Sequence, residues 1–258
     1  SQNDNFKPGD EYLYSNSGYI LLTEIVNRVS GMTIRKYADK NIFQPLGMTN
    51  TFFNDDHSQI TENRVISYRK QSDTIIRLMQ NFVGIGDGNL ITTVNDVYLW
   101  DQNFYHNKVG GKEFVDLILT RGILNNGDTL QYAFGLVHGM YRGLKTVSHG
   151  GAFLGFRTQF IRFPKQNFSV IVFSNVLDFN PTAKAYRIAD ILLKDNLLDP
   201  SIPEKTSATT KPIKPIKPIK ISNKKLEEFS ALYWNEEDRY SRKIYVKNDS
   251  LRYHRSED

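Results

Sequence analysis

The sequence contains no cysteine, and this absence excludes a group of chemistries. A chain without cysteine has no disulfide framework, no thiol nucleophile and no thiolate metal site. It also has no apolar run of about 18 residues, so the sequence predicts no transmembrane segment. Five histidines are present, but none falls in an H-E-x-x-H or H-x-x-E-H pattern. We therefore predict no metal and no cofactor.

Positive charge is concentrated in one stretch of the chain. The formal net charge is +5 over 258 residues, which raises the question of nucleic-acid binding. Six lysines account for the excess: Lys211, Lys214, Lys217, Lys220, Lys224 and Lys225. No aromatic face is interleaved with them, so we predict no nucleic-acid partner.

The tract KPIKPIKPIK lies inside this basic stretch and carries proline at every third position. Proline at that spacing blocks a helix and favours an extended polyproline-II spacer, and the lysines repel one another. We predict a solvated linker over residues 199–221, with binding to an anionic surface as the alternative.

Helical patterns are found in the first half of the chain. Apolar residues recur at helical spacing after Asn16, and Gly31 follows where a left-handed cap would lie. The apolar residues of this predicted helix are Leu22, Ile25, Val26 and Val29. Thr33 can cap a second, short helix. Residues 50–90 are polar and weakly patterned, and Thr93 and Asp96 then form a capping box ahead of a third helix.

The pattern changes to strands from Thr146 onward. The segments TQFIRF and FSVIVFSN, separated by PKQN, predict an antiparallel hairpin. Asn180 and Pro181 then begin a last helix. Four of its apolar residues are expected to face inward: Ala185, Ile188, Ala189 and Leu192. Helices followed by a sheet and a closing helix predict an α/β sandwich.

A series of short motifs occurs in a fixed order: PG followed by YSNSGY, VSG, PLGM, GDGNLITTVNDVYLW, YAFGL, SHGG and VIVFSN. Over roughly residues 5 to 195 this series resembles the serine beta-lactamase-related family. That family includes class C beta-lactamases, D-Ala-D-Ala carboxypeptidases, D-aminopeptidases and esterases. The resemblance implies an α/β fold, namely a beta-lactamase/transpeptidase-like sandwich of an antiparallel sheet with helices. It also implies a serine hydrolase that forms an acyl-enzyme on an amide or ester.

The resemblance divides the chain into three segments. Residues 1–198 match the C-terminal portion of the beta-lactamase-like domain, and the linker covers residues 199–221. Residues 222–258 are similar to the start of a small β-rich C-terminal domain. In that last segment Ile244 and Val246 alternate with polar residues ahead of a predicted turn at 248–250.

The nucleophile of such a family is the serine of an S-x-x-K motif upstream of the Tyr-x-Asn element. Two S-x-x-K matches occur, at Ser67 with Lys70 and at Ser222 with Lys225, but both follow that element. We expect both to be accidental, since such a short pattern arises easily by chance. The chain begins with polar residues and no methionine, so we expect it to be N-terminally incomplete and inactive alone.

The Tyr-x-Asn element is matched by Tyr14 and Asn16. The resemblance implies that the Tyr14 phenol takes or relays the proton of the serine. It implies that the Asn16 amide holds the scissile group of the substrate. The alternative is that both residues only pack and cap the following helix.

His149 stands where beta-lactamases of this family have lysine in a Lys-Thr-Gly triplet. A histidine free in solution is mostly neutral at pH 7, whereas lysine is a fixed cation. Pairing with a substrate carboxylate should therefore be weaker here, which disfavours penicillins as natural substrates. Gly150 and Gly151 would let a substrate lie along the strand, and the N–H near Ala152 would be half of an oxyanion hole. The alternative is a surface histidine before a glycine turn.

These expectations define a serine hydrolase with a small-molecule or peptide substrate: a beta-lactam, a D-amino-acid peptide or a small ester. The main alternative is a catalytically inactive, penicillin-binding-like or peptide-sensing protein. The resemblance favours a periplasmic or extracellular location. The residues themselves do not indicate a compartment.

Overall fold

A computed structural model of the chain describes residues 4–56, 58–79, 84–199, 222–235, 240–247 and 249–255. The chain divides into two compact units, residues 1–207 and residues 208–258. The predicted linker lies outside the described residues, apart from its first residue, Asp199.

The first helix, α1 (Asn16–Ser30), begins and ends at the residues that the sequence indicates. The Ser15 side chain accepts a hydrogen bond from the Gly18 N–H, which satisfies one of the free donors at the helix start. Gly31 ends the helix in the left-handed region with φ 68°, a conformation that costs glycine nothing. The predicted helix and its end at Gly31 are confirmed, and the Ser15 cap at its start is a feature that the sequence analysis did not name.

The apolar side of α1 is not covered by the part of the chain that the structure describes. No residue of α1 is buried, and Leu22, Ile25 and Val29 are 50%, 54% and 83% exposed. The amphipathic pattern therefore correctly predicts a helix, but the apolar side of that helix is exposed to solvent.

The remaining elements of the first unit follow in chain order. They are α2 (Ile34–Ala38), a π-helical turn (Asp39–Phe43), α3 (Gln44–Leu46), β1 (Phe52–Phe53), β2 (Ser67–Gln71), β3 (Thr74–Leu78), β4 (Leu90–Ile91), α4 (Val94–His106), α5 (Gly111–Leu119), β5 (Tyr132–Ala133), β6 (Leu136–Tyr141), β7 (Leu144–Phe153), β8 (Phe156–Phe163), a 3-10 turn (Pro164–Gln166), β9 (Phe168–Ser174) and α6 (Pro181–Leu192).

An antiparallel sheet with the strand order β5-β6-β7-β8-β9 forms the centre of this unit. The predicted hairpin is β8 and β9, joined by the 3-10 turn at Pro164–Gln166. β7 is longer than its neighbour β6. The β6–β7 pairing stops at Val137 and Ser148, whereas the β7–β8 pairing continues to Phe153 and Phe156. The end of β7 therefore extends beyond β6.

Helix α6 covers the sheet through small residues. Ala185 and Ala189 are fully buried against a cluster formed by Ile161, Phe163, Val170 and Leu193. The prediction that Ile188 and Leu192 also face inward is wrong: they are 38% and 64% exposed. Leu193, directly after the helix, is buried where the sequence pattern favoured Leu192, because α6 approaches the sheet closely along its alanine side.

Helix α4 is attached to the sheet by a buried ion pair. The Arg162 Nε on β8 lies 2.5 Å from the Asp101 Oδ1 on α4, and both side chains are only 2% exposed. The Ser169 hydroxyl donates to the second Asp101 oxygen at 2.6 Å. The guanidinium of Arg162 also stacks 4.0 Å from the centroid of the Phe104 ring. These contacts satisfy both charges in a region without solvent.

The start of α4 differs in part from the predicted capping box. The Thr93 hydroxyl oxygen accepts a hydrogen bond from the Asp96 N–H, as the pattern indicates. The Asp96 carboxylate is buried and accepts hydrogen bonds from the Asn50 N–H at 2.8 Å and the Thr51 hydroxyl at 2.7 Å. The Asp96 carboxylate, which the capping-box pattern assigned to the helix start, therefore binds residues that are distant in the sequence.

The weakly patterned stretch between α3 and α4 contains short strands that the sequence did not predict. β1 pairs with β4, and β2 pairs with β3, both antiparallel. Backbone hydrogen bonds join Tyr68 to the residues after β9, since the Tyr68 N–H donates to the Asn175 carbonyl and the Tyr68 carbonyl accepts from the Leu177 N–H. These strands depend on pairing with distant residues, which leaves little periodic signal in the segment itself.

Ser67 connects the β2–β3 hairpin to the turn between β7 and β8. Its hydroxyl oxygen accepts a hydrogen bond from the Gly155 N–H at 3.2 Å and donates to the Leu78 carbonyl at 3.4 Å. The side chain is 1% exposed. A Cβ on Gly155 would lie 2.6 Å from the Tyr68 carbonyl oxygen, so the close approach requires glycine.

Replacing Ser67 with alanine should lower the free energy of unfolding by about 1–3 kcal/mol, because the buried Gly155 N–H loses its acceptor. Urea unfolding followed by circular dichroism measures the change. Ser17→Ala, at an exposed position in the first turn of α1, is the matched control and should leave the stability nearly unchanged. Equal stability of Ser67→Ala and the parent chain would contradict the anchoring role of Ser67.

The second unit contains a short helix and three strands: α7 (Asn223–Glu227), β10 (Ala231–Asn235), β11 (Tyr240–Lys247) and β12 (Ser250–Arg255). They form an antiparallel sheet in the order β10-β11-β12. The predicted alternating strand through Ile244 and Val246 lies in β11, and Lys247 pairs with Ser250 across the predicted turn. Of that turn, residue 248 lies outside the described residues.

Candidate active site

Tyr14 and His149, which are far apart in sequence, lie side by side in the structure. Their ring centroids are 6.3 Å apart and the ring planes are inclined by 33°. Tyr14 lies just before the Ser15 cap of α1, and His149 lies on β7 where that strand passes the end of β6. The α1 start and the protruding strand therefore bring the two predicted catalytic residues together.

The orientation of the His149 ring is set by its own backbone neighbourhood. Its Nδ1 lies 2.7 Å from the Gly150 carbonyl oxygen. A carbonyl only accepts hydrogen bonds, so Nδ1 carries the hydrogen and donates it. In the neutral ring, Nε2 is then the free acceptor, able to bind a donor but not to replace the fixed charge of a lysine.

The strand segment after His149 has an open edge. Gly150, Gly151 and Ala152 pair with Gln159, Thr158 and Arg157 of β8, respectively. Among the described residues, no strand pairs with the opposite edge of residues 149–153. An edge of this kind exposes backbone donors and acceptors that can bind an extended ligand as an additional strand.

Steric constraints on the other side of the strand explain the two glycines. A Cβ on Gly151 would clash with the Thr158 hydroxyl, and one on Gly150 would lie 3.2 Å from the Gln159 Oε1. Both glycines are exposed. The glycine pair therefore fits closely against the Thr158 and Gln159 side chains of β8.

Asn16 is the first residue of α1 and is exposed. It lies one residue beyond the Ser15 cap, on the same turn of chain that presents Tyr14. The structure thus places Asn16 at the start of the helix, on the segment that carries Tyr14 beside β7.

Three further tyrosines surround Tyr14, and the sequence reasoning did not assign them to the site. Tyr12, Tyr14, Tyr19 and Tyr132 form what we call the tyrosine cluster. The Tyr132 ring lies 5.3 Å from that of Tyr12 and 6.1 Å from that of Tyr14, and its hydroxyl is 2.9 Å from the Tyr19 hydroxyl. The available signal was the YAFGL motif, whose tyrosine is Tyr132.

The tyrosine cluster borders a cavity of about 270 Å³. The cavity is also lined by Leu13, Ser15, Gly18 and Leu22. Burial, followed by the hydrogen bond to Tyr19, raises the pKa of Tyr132 well above its ordinary value. Burial and the neighbouring Tyr19 raise the pKa of Tyr12 in the same direction. These two phenols are therefore neutral at physiological pH, and the cavity wall that they form is uncharged.

The two S-x-x-K matches occupy different environments. Ser67 is buried on strand β2, where residues three apart point to opposite faces, so Lys70 cannot approach its hydroxyl in the manner of a helical pair. Ser222 caps α7 through a hydrogen bond from the Lys225 N–H. The Lys225 ammonium lies 2.6 Å from the Glu228 carboxylate.

The loop 84–88 packs against α1 near the tyrosine cluster. Gly86 has φ 128°, and a Cβ there would lie 2.5 Å from the Tyr19 carbonyl oxygen. The Thr23 hydroxyl donates to the Ile85 carbonyl at 3.4 Å. Gly86 therefore allows a close approach of this loop to the helix backbone.

Within the described ranges, no group of three or more histidine and carboxylate side chains is placed to hold a metal ion. Across the same ranges, no helix combines the length and the apolar character needed to cross a membrane.

Residues 2–193 match the model of the Beta-lactamase family, and the chain belongs to this family. It is 30% identical over 188 residues to penicillin-binding protein 4* of Bacillus subtilis, covering 66% of the chain and 41% of that protein. It is 27% identical over 190 residues to a D-aminopeptidase of Cereibacter sphaeroides, covering 73% of the chain and 36% of that protein. The chain therefore spans well under half the length of these two relatives.

Solved structures have the same fold. The octameric penicillin-binding protein homologue from Pyrococcus abyssi superposes with a TM-score of 0.65 over 95% of this chain and 53% of that one, at 20% sequence identity. The predicted mixed fold of helices and antiparallel sheet is confirmed, and so is the family resemblance.

Proposed function

We propose that this chain is part of a serine hydrolase that cleaves an amide or ester bond through an acyl-enzyme. The observation that carries the proposal is the contact between Tyr14 and His149, 6.3 Å apart, beside the open edge of β7. A tyrosine hydroxyl, a histidine acceptor and a free strand edge are the groups that an acyl-transfer site needs around its nucleophile.

In the proposed reaction, the serine oxygen forms a bond to the substrate carbonyl carbon while its proton passes to the Tyr14 hydroxyl, which hands its own proton to the amine of the upstream S-x-x-K lysine. The carbonyl oxygen takes up the negative charge near the Ala152 N–H. When the carbonyl re-forms, the bond to the amine or alcohol breaks and the leaving group takes the proton. Water then hydrolyses the acyl-enzyme by the same route and restores the serine.

The nucleophile in this proposal comes from residues outside the 258 of the chain. Three observations support this. The buried Ser67 hydroxyl is already bonded to Gly155 and Leu78, and the Lys225 ammonium beside Ser222 is paired with Glu228. The relatives are also more than twice as long as the segment that matches them, since it covers 41% and 36% of their length.

The proposed substrate is a peptide or amide with a D-amino acid, or a small ester, rather than a penicillin. The D-aminopeptidase among the relatives supports the D-amino-acid peptide. His149 supports the distinction from penicillins, because a histidine lacks the fixed positive charge with which a lysine at this position would bind a substrate carboxylate. Asn16, at the start of α1, would hold the amide of the substrate.

Replacing His149 with lysine should raise the efficiency on a carboxylate-bearing cephalosporin, relative to p-nitrophenyl acetate, by about tenfold. The reason is that a charge-assisted hydrogen bond is stronger than a neutral one by roughly 1.4 kcal/mol. The measurement is the ratio of kcat/KM for the two substrates in a longer form of the protein that is active on the ester. His106→Lys, at the exposed end of α4, adds the same charge elsewhere and is the matched control.

The parent protein should prefer the neutral ester in this assay. A higher kcat/KM on the cephalosporin in the parent protein, or no change in the ratio for His149→Lys with full ester activity, would remove the proposed role of His149.

A second candidate function is a catalytically inactive protein that binds a peptide along β7. It is favoured by the poor placement of both S-x-x-K matches within this chain. The two candidates differ in the residues upstream of Tyr14. An S-x-x-K at the start of an apolar helix there supports the hydrolase, and a sequence without it supports the binding protein.

A further inference from the structure

We propose that Tyr132 is a positioning residue that holds Tyr14 against His149. This inference rests on the proposed function only for its catalytic consequence, since the contacts themselves are structural. Tyr132 is the member of the tyrosine cluster that touches each of the other three.

Tyr132 contacts Tyr14 with a specific geometry. The edge of one ring meets the face of the other, with planes at 85° and centroids 6.1 Å apart. This arrangement is favoured by the ring quadrupoles. The Tyr14 side chain is 49% exposed, so few other groups restrain it. Its contacts with Tyr132 on one side and His149 on another therefore decide the direction in which its hydroxyl points.

The backbone of Tyr132 is held by the sheet. Tyr132 pairs with Val137 of β6, and its carbonyl accepts a hydrogen bond from the Gly122 N–H at 3.1 Å. The next residue, Ala133, is only 2% exposed. The Tyr132 ring therefore extends from a strand of the sheet toward the side chain of Tyr14, which lies outside any helix or strand.

The hydroxyl of Tyr132 connects the sheet to the first turns of α1. Its oxygen lies 2.9 Å from the Tyr19 hydroxyl. Gly135 lies close by, since a Cβ there would be 3.5 Å from the Tyr19 hydroxyl oxygen. The residue thus fixes the start of α1 by its hydroxyl and the Tyr14 ring by its edge. The ring contact acts on Tyr14 directly, and the hydroxyl contact adds to it by fixing the start of α1.

The test is NMR of the protein with isotope-labelled tyrosine and histidine rings. In the parent protein we expect nuclear Overhauser contacts from the Tyr14 ring to both the Tyr132 and the His149 rings, and a ring-current displacement of the His149 signal. Tyr132→Leu should abolish the Tyr14–His149 contact and return the His149 signal to the position found in Tyr14→Leu. Tyr132→Phe keeps the ring and should retain most of the displacement.

A control variant separates positioning from general loss of packing. Tyr186→Leu removes the ring stacked 4.1 Å from Tyr141, elsewhere in the same unit, and should leave the His149 signal in place. Should Tyr132→Leu fail to fold, Tyr19→Phe and Tyr132→Phe each break only the hydroxyl contact and should weaken the Tyr14–His149 contact slightly and to the same extent. An unchanged contact in a folded Tyr132→Leu, or its absence in the parent protein, would overturn the inference.

Kinetics of a longer, active form distinguish the two proposals. Tyr132→Leu should lower kcat by at least tenfold with KM within twofold, and Tyr132→Phe should recover most of the loss. If the NMR contacts depend on Tyr132 but no form of the protein hydrolyses any ester or amide, the hydrolase proposal fails and the positioning role stands. If hydrolysis is normal in Tyr132→Leu, the positioning role fails and the hydrolase proposal stands.

Discussion

Replacing Asp101 with alanine is expected to lower the free energy of unfolding by about 3–5 kcal/mol, because Arg162 would be left as an unpaired charge in the core. The two side chains are 2% exposed and lie 2.5 Å apart. Ser169 would also lose the acceptor of its hydroxyl. Urea unfolding of the first unit, followed by circular dichroism, measures the loss.

The double variant Asp101→Leu with Arg162→Met should recover most of the lost stability, since removing both charges together leaves no unpaired charge in the core. The exposed pair Lys112–Asp116 provides the matched control, as its side chains are 75% and 60% exposed. Asp116→Ala should therefore cost far less than Asp101→Ala. Equal losses in the two single variants would show that burial of the Asp101–Arg162 pair is not the source of its effect.

Incubation of the 258-residue chain with a fluorescent penicillin or an activated ester is expected to give no covalent adduct. The reason is that Ser67 is buried and bonded to Gly155, while Ser222 lacks a lysine free to accept its proton. Intact-mass spectrometry after incubation with each reagent measures the extent of labelling. A serine beta-lactamase treated in parallel confirms that the reagents are active.

A longer form that carries an upstream S-x-x-K serine should be labelled at a stoichiometry of one, with the adduct lost on replacement of that serine by alanine. A stoichiometric adduct on the 258-residue chain, mapped to Ser67 or Ser222 and absent from the corresponding alanine variant, would refute the proposal that these motifs are accidental. The site would then have to be sought around that serine.

Local patterns in the sequence were sufficient for the elements whose ends are set by nearby residues. Ser15 and Gly31 bound α1, Thr33 caps α2, and Asn180 caps α6 because each bond or conformation involves residues only a few positions away. The β8–β9 hairpin was equally predictable, since its turn and its alternation are local.

The strands between α3 and α4 were not predictable in the same way. β2 is held by Gly155 and Asn175, residues that lie far beyond it in the sequence. The carboxylate of Asp96 likewise serves Asn50 and Thr51 rather than its own helix start. A sequence pattern cannot predict hydrogen-bond partners that lie so far apart along the chain, because their separation in sequence is unrelated to their distance in space.

For the candidate site, the sequence by itself determined which side chains are available: Tyr14, Asn16, His149 and the glycines that follow it. It also determined the local elements that carry them, a capped helix start and a strand. Only the tertiary structure decided that Tyr14 meets His149, that β7 extends past β6 with an open edge, and that Tyr132 stands between Tyr14 and Tyr19. Capping and alternation act over a few residues, whereas ring contacts and strand length relative to a neighbour exist only after the chain has packed.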